Sequence, residues 1–326
     1  VSGHAAAPRW QMIAAFAAIY LIWGSTYLGI ALAIQSMPPF IMAGSRFVLA
    51  GAALYIYARL TGSPRPTAAH WKWAVLLGAL FFLVGNGAVA WVENKGMPSG
   101  LAALIVAMVS VWTALLEWLR PGGTRPSPVV LAGIALGFGG VALLVLPGQA
   151  SGSLNAAAIG LLLFSTLTWA SGSVLSRDAK LPESVALASG IQMLAGGAWL
   201  FLASLVNGDW AQLNVSAITA KSWIAFGYLT LFGSLVAFTA FAWLLRITTP
   251  SKVSTAGYVN PVVAVFLGWA IAGEKLNGRT LVASLVIVAA VILIITGKEL
   301  VASRARASAK AVTAGSGVAP RATASD

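Results

Sequence analysis

Side chains able to do bond-making chemistry are scarce in this chain and poorly placed for it. The sequence holds no cysteine, only the histidines His4 and His70, and eight carboxylates in all. Without thiols there is no disulfide, no thiolate nucleophile and no Cys-ligated metal. Both histidines sit in water-facing stretches, and no aspartate falls inside a long apolar run. Neither a His-Glu-x-x-His pair nor a G-x-x-x-x-G-K-[ST] loop occurs. A serine–histidine protease, a metalloenzyme, a paired-aspartate protease and an ATP-driven engine are therefore unsupported, and no metal or cofactor is expected. What remains is a short set of polar and aromatic groups within or beside apolar runs: Arg46, Glu93, Asn86 and Asn260, with Trp23, Tyr27, Trp112, Trp169 and Tyr258. Such a set suits recognition without covalent chemistry. Rings hold apolar bodies, while indole, phenol, amide and guanidinium groups fix orientation.

The elements that position these groups follow from composition. Of 326 residues, 59% are hydrophobic and 9% charged, and mean hydropathy is +0.88. Soluble domains carry about 45–50% apolar and about 25% charged residues, and disordered chains are less apolar still. The class left is an all-α polytopic membrane protein with lipid as its solvent. A spanning helix takes about 20 mainly apolar residues. Breaks at Pro, Gly and charge place ten spans at 10–34, 40–60, 71–92, 98–119, 127–146, 154–176, 184–206, 222–245, 250–272 and 279–297. Pro98 and Pro250 stand where a first helical turn tolerates a missing N–H. The first span runs past 20 residues with no A-x-A cleavage site, so it reads as a retained helix. Residues 1–9 form a short leading segment, and 298–326 an Ala/Ser/Arg/Lys tail that reads as disordered.

A net charge of +12 would suggest nucleic acid in a soluble protein. Sorted by side, 15 Lys and Arg fall on the face bearing both termini and 4 on the other, with Arg46 inside a span. The positive-inside rule then puts both termini in the cytoplasm. The charge is an orientation signal and a contact for lipid headgroups, and no nucleic-acid partner is expected.

The chain also repeats itself. Trp23-Gly24-Ser25 returns as Trp169-Ala170-Ser171 at an offset of 146, which also lays Arg46 on Gln192. After a six-residue insertion the offset is 152, pairing Trp71 with Trp223, Trp91 with Trp243 and Pro98-Ser99 with Pro250-Ser251. Two five-span halves result, 10–146 and 154–297. Five is odd, so the second half enters the membrane in the opposite sense: a 5+5 inverted-topology repeat, with a substrate site expected between the halves near the midplane.

Trp23-Gly24-Ser25-Thr26-Tyr27, Ser45-Arg46-Phe47, Glu93 to Gly100 and Gly273-Glu274-Lys275-Leu276, in that order, resemble the EamA-type drug/metabolite transporter superfamily, in particular its bacterial inner-membrane exporter branch. The resemblance covers about 10–297. It implies export of small metabolites, amino acids or drugs without ATP. One departure stands out: the family's fourth span often carries a mid-helix Pro and a closing Gly-Glu, whereas this chain has Val109-Ser110 and Glu117-Trp118. The kink at Pro261 thus has no proline counterpart in the first half.

Each candidate has a functional and a plain reading. Arg46 attracts a substrate carboxylate, pairs with Glu93, or snorkels outward and ties helices through carbonyls. Glu93 is the fair candidate for binding a coupling proton, while Glu117 beside Arg120 reads as an interfacial charge. Trp23, Tyr27, Trp112, Trp169 and Tyr258 line a cavity or simply pack. Trp23 and Trp169, related by the repeat, should both approach the central axis. Asn86 and Asn260 are candidate substrate amides, and Pro261, which frees the carbonyl of Gly257, is a candidate gate hinge. Gly133-x-x-x-Gly137 with Gly139-Gly140 is a small-residue face for helix packing or a weak dimer. A passive facilitator needs only a lined pore and is the rival to a coupled exporter.

Overall fold

The structure is a computed structural model that describes residues 8–120, 123, 125–145, 156–274, 278–279, 281–294 and 296–297. Among these residues every regular element is helical. Seven helices are long and apolar enough to cross a membrane: α1 Arg9–Ala33, α2 Pro39–Leu60, α3 Ala68–Asn94, α4 Ser99–Leu119, α6 Ala156–Leu175, α7 Val185–Asn207 and α8 Ala220–Ile247. Three shorter apolar helices fall within the remaining expected spans: α5 Pro128–Val145, α9 Ala256–Ala272 and α10 Leu281–Ile294. The tail beyond 297 and the segment before Pro8 lie outside the described residues. Here the near end is where α1 begins, and the far end is where it finishes.

Large apolar side chains cover the outside. Leu60, Val206, Ile224, Leu285 and Phe266 are all more than half exposed. In water such a surface would aggregate; against lipid tails it needs no other partner. Inside, helices approach through glycine, because lipid offers them no hydrophobic drive to associate and close packing must do it. α2 and α7 lie side by side with Gly51 against Gly190 and Gly197 against Gly44, so that a Cβ at Gly51 or Gly190 would come within 2.9 Å of backbone on the other helix. The Gly133 face of α5 packs on α10. A Cβ at Gly133 would come within 2.8 Å of Ile294, and one at Gly140 within 2.6 Å of Ile287. That face is used within the chain.

Several helices are irregular where they meet the centre. α1 widens into a π turn at Ala18–Ile22, α3 at Ala79–Asn86 and α8 at Leu229–Phe238. The offset of 152 carries Asn86 onto Phe238, so the π segments of α3 and α8 fall at paired positions. π turns leave carbonyls imperfectly paired and cluster at functional sites. The expected fourth span is not one continuous helix. It stops at Val106 and restarts at Val109, with Ser110 N bonded to Ala107 O. No proline is needed for this break, since the Ser110 hydroxyl turns across to the neighbouring helix, donating to Ser254 O at 3.0 Å. α9 is interrupted just there: a short helix, Pro250–Val253, precedes it, with Pro261 inside the main run.

Candidate functional site

The central feature is a cavity between α1, α2, α3, α4, α6, α8 and α9. It extends from Pro250 and Leu245, at the near end, to Ile30, Arg46 and Val89, about two turns short of the far end. Past that point Met37, Met42, Met97 and Leu101 form packed, buried core.

Its wall is an aromatic cluster built round the repeat-related indoles. Trp23 and Trp169 meet edge to face, with ring centroids 5.5 Å apart, and both contact Phe241, at 5.0 and 5.7 Å. Phe81, Phe82 and Phe238 extend the cluster. Such pairs are worth about 0.5–1.5 kcal/mol each beyond their buried area. Trp23 Nε1 donates to Gly233 O at 3.2 Å, a carbonyl in the π segment of α8. Trp169 lies flat against α3 because residue 85 is glycine; a Cβ there would sit 2.8 Å from the indole. A smaller pocket, lined by Gln192, Arg246 and Leu181, shares Phe238 and Phe241 with it.

The two interrupted helices bound the cavity opposite this wall. Ala107, Val109, Ser254, Gly257 and Pro261 all line it. They meet closely: a Cβ at Gly257 would lie 2.6 Å from Ser110 Oγ. Pro261 has no N–H for the carbonyl of Gly257. Asn260, one residue before it, is oriented with its amide nitrogen toward Tyr20 O at 2.9 Å and Ile19 O at 3.0 Å, carbonyls in the π turn of α1. The amide thus fastens the kinked helix to the widened one.

Seven of the residues singled out from sequence line this one space: Trp23, Tyr27, Arg46, Asn86, Trp169, Asn260 and Pro261. Three do not fall so simply. Trp112 is turned away, against Phe138 of α5 with centroids 5.6 Å apart. On its helix Val109 and Thr113, four residues apart, share the cavity face, and Trp112 is rotated off it. The side chain of Tyr258 lies outside the described residues. Glu93 is buried in the last turn of the α3 span and is not in the lining; neither of its oxygens has a hydrogen-bond partner.

Arg46 does not snorkel and does not pair with Glu93. It is 3% exposed, Nη2 donates to Asn86 Oδ1 at 2.8 Å, and its guanidinium lies 4.3 Å from the centroid of Phe47. Asn86 in turn donates to Phe81 O. His70 serves as a cap, bonding back to Thr67 at the start of α3. Phe82, Phe238, Phe241 and Ser110 were not singled out from sequence. The signal that points to two of them is indirect: glycines at 196 and 257 inside apolar runs mark close approaches without saying by what, and the structure supplies Phe82 and Ser110 Oγ.

The model of the EamA-like transporter family matches residues 10–146 and again 156–296. The chain belongs to that family. It is 39% identical over 290 residues to the inner membrane transporter YedA of Escherichia coli (strain K12), covering 89% of this chain and 92% of that one. It is 24% identical over 272 residues to a probable amino-acid metabolite efflux pump of the same strain, covering 80% and 86%. A solved crystal structure superposes with a TM-score of 0.63 over 90% of this chain and 99% of the other at 19% identity, a likeness of fold.

In this EamA-like transporter, two carboxylates that bind nothing in the cavity hold its far end. Glu274 follows α9, turned back by Gly273 at φ +69°. Its Oε1 accepts from Ser99 N at 2.7 Å and Ser99 Oγ at 2.6 Å, and Oε2 from Gly100 N at 3.1 Å. This is a charged cap on the first turn of α4. Glycine at 268 leaves room for it, since a Cβ there would meet Oε2 at 2.5 Å. Asp209, fully buried, caps α2 through Phe40 N at 2.8 Å and Ile41 N at 3.2 Å.

Proposed function

We propose that the protein is a secondary transporter of the inner membrane that exports small amphipathic metabolites (amino acids, aromatic metabolites or drugs) by alternating access. On this reading its ten helical runs form a 5+5 inverted repeat with both termini cytoplasmic, working as a monomer or weak dimer. The observation that carries it is the cavity where Trp23 and Trp169 meet, bounded by two helices broken at the same level. Breaks of this kind give a packed bundle two arrangements rather than a continuous bend. Trp23, Tyr27, Asn86, Trp169 and Asn260 are the substrate-facing groups, and Pro261 is the hinge. Glu93 is assigned to proton coupling, as a carboxylate buried in the last turn of α3 whose oxygens have no hydrogen-bond partner.

Counterflow in proteoliposomes tests this. Saturable exchange is expected, and Trp23→Ala and Trp169→Ala should each cut it several-fold while leaving folded protein in the membrane. Normal exchange by both variants sinks the central-cavity assignment; ion-like conductance in place of exchange favours a facilitator. Dependence on a pH gradient that survives Glu93→Gln removes Glu93 from the coupling role.

A further inference from the structure

The charge of the cavity is one-sided. Resting on the transporter reading above, we propose that its ligand is an organic monoanion, a carboxylate or similar oxyanion head on an aromatic or apolar body, with Arg46 as the headgroup site. Among the described lining residues Arg46 is the one charged side chain, and no described carboxylate lies within 4 Å of its guanidinium. Glu93, Glu274 and Asp209, the described carboxylates near that level, stay outside the lining.

The remaining polar groups sharpen this asymmetry. Thr26, Thr113 and Ser173 each donate their hydroxyl to a carbonyl of their own helix, at 2.7, 2.7 and 2.9 Å. The N–H groups of Trp23 and Asn86 are likewise used, on Gly233 O and Phe81 O. Arg46 Nε is itself buried without an acceptor, and the Tyr27 hydroxyl and Trp169 Nε1 share the lining as neutral donors, so Arg46 supplies the one charged donor of the described lining. A buried cation with an incomplete hydrogen-bond set is costly until an anion completes it. The guanidinium is also held in place, with Asn86 on one edge and the Phe47 ring at 4.3 Å, so its charge meets an incoming carboxylate without reordering of the side chain. A cationic amphiphile finds no carboxylate here and one like charge.

Ligand-induced stabilisation of the full chain in detergent tests this with four probes sharing one ring: phenylacetate, 2-phenylethylamine, L-phenylalanine and 2-phenylethanol. Phenylacetate is expected to bind most tightly and the amine most weakly. Arg46→Gln should weaken phenylacetate about tenfold or more and leave 2-phenylethanol nearly unchanged, as expected for a charge-assisted bond. Arg46→Lys should restore part of the loss, since it keeps the charge without the fork. Trp169→Ala should weaken all four. Tighter binding of the amine or of L-phenylalanine than of phenylacetate overturns the monoanion class, as does phenylacetate binding that Arg46→Gln leaves intact. If Arg46→Gln does not fold, the probe order on the unaltered chain and the Arg46→Lys result decide. If none of the four binds, or Trp169→Ala changes none of them, the aromatic cavity itself is wrong as the ligand site, and this inference falls with it.

Discussion

The two ends of the helical bundle are closed by different physics. At the far end two carboxylates cap helix starts: Glu274 on α4 with three hydrogen bonds and Asp209 on α2 with two. At the near end the charged contacts between elements include an exposed ion pair, Arg120 with Asp178, and Arg246 donating to the carbonyls of Pro182 and Glu183. Under the two-half correspondence the far-end charges have neutral counterparts. Arg46 pairs with Gln192, Glu93 with Leu245, and Glu274 with a glycine at position 122, which lies outside the described residues. A charged cap is worth roughly 1.5–3 kcal/mol per hydrogen bond to the charge, whereas an exposed ion pair is worth about 0–1 kcal/mol. The bundle is therefore pinned at one end and loosely tied at the other. The cavity follows suit, reaching Pro250 and Leu245 at the loose end and stopping at packed core before the pinned one.

Disruption of Glu274 has the largest expected effect. Glu274→Ala leaves Ser99 and Gly100 N–H groups facing apolar surroundings and should lower stability by about 2 kcal/mol or more, read as a drop in the thermal midpoint in detergent. The chain has no native cysteine, so a single Met97→Cys reports on the same end. Its labelling by a water-soluble maleimide should be slow in the parent and faster with Glu274→Ala. Unchanged labelling and midpoint would show that the cap is ornamental and the two ends equivalent.

Asp209→Ala comes next. It removes a charged cap with two hydrogen bonds where Glu274 has three, and should cost about 2 kcal/mol but less than Glu274→Ala, with Met97→Cys labelling unaffected because α4 keeps its own cap. The smallest effect is expected from Arg120→Ala at the near end, within about 0.5 kcal/mol of the parent, since Asp178 is 60% exposed and solvated by itself. A loss there as large as that of Glu274→Ala would reverse the comparison.

Much of this was legible in the residues, and the failures are instructive. Trp23 and Trp169 were picked out by the repeat, and they touch. Arg46 was picked out by being a charge at depth, but its partner, Asn86, comes from a different helix, and no local pattern names it. Trp112 was chosen for its depth along the chain. Depth says nothing of helix face, and a rotation of a single residue sends it to α5. The break in α4 was invisible because it needs no proline: the hydroxyl of Ser110 and the close approach of Gly257 make it possible, and these meet only in three dimensions. Glu274 entered the reading as part of a family motif at the close of a span. Its work is done more than 170 residues away in the sequence, at Ser99.

Composition, charge and spacing by themselves determined the solvent, the helical class and the short list of polar groups at depth, because lipid forbids unpaired backbone and penalises charge wherever it falls. Tertiary structure alone decided which of those groups share a space. It turned Trp112 away, left Glu93 behind the wall, spent most hydroxyl and amide donors on backbone, and gave Arg46 a cavity with no other charge in its described lining. The reason is geometric: sequence fixes how deep a side chain lies along its helix, but only the packing of seven helices round one centre fixes the direction in which it points.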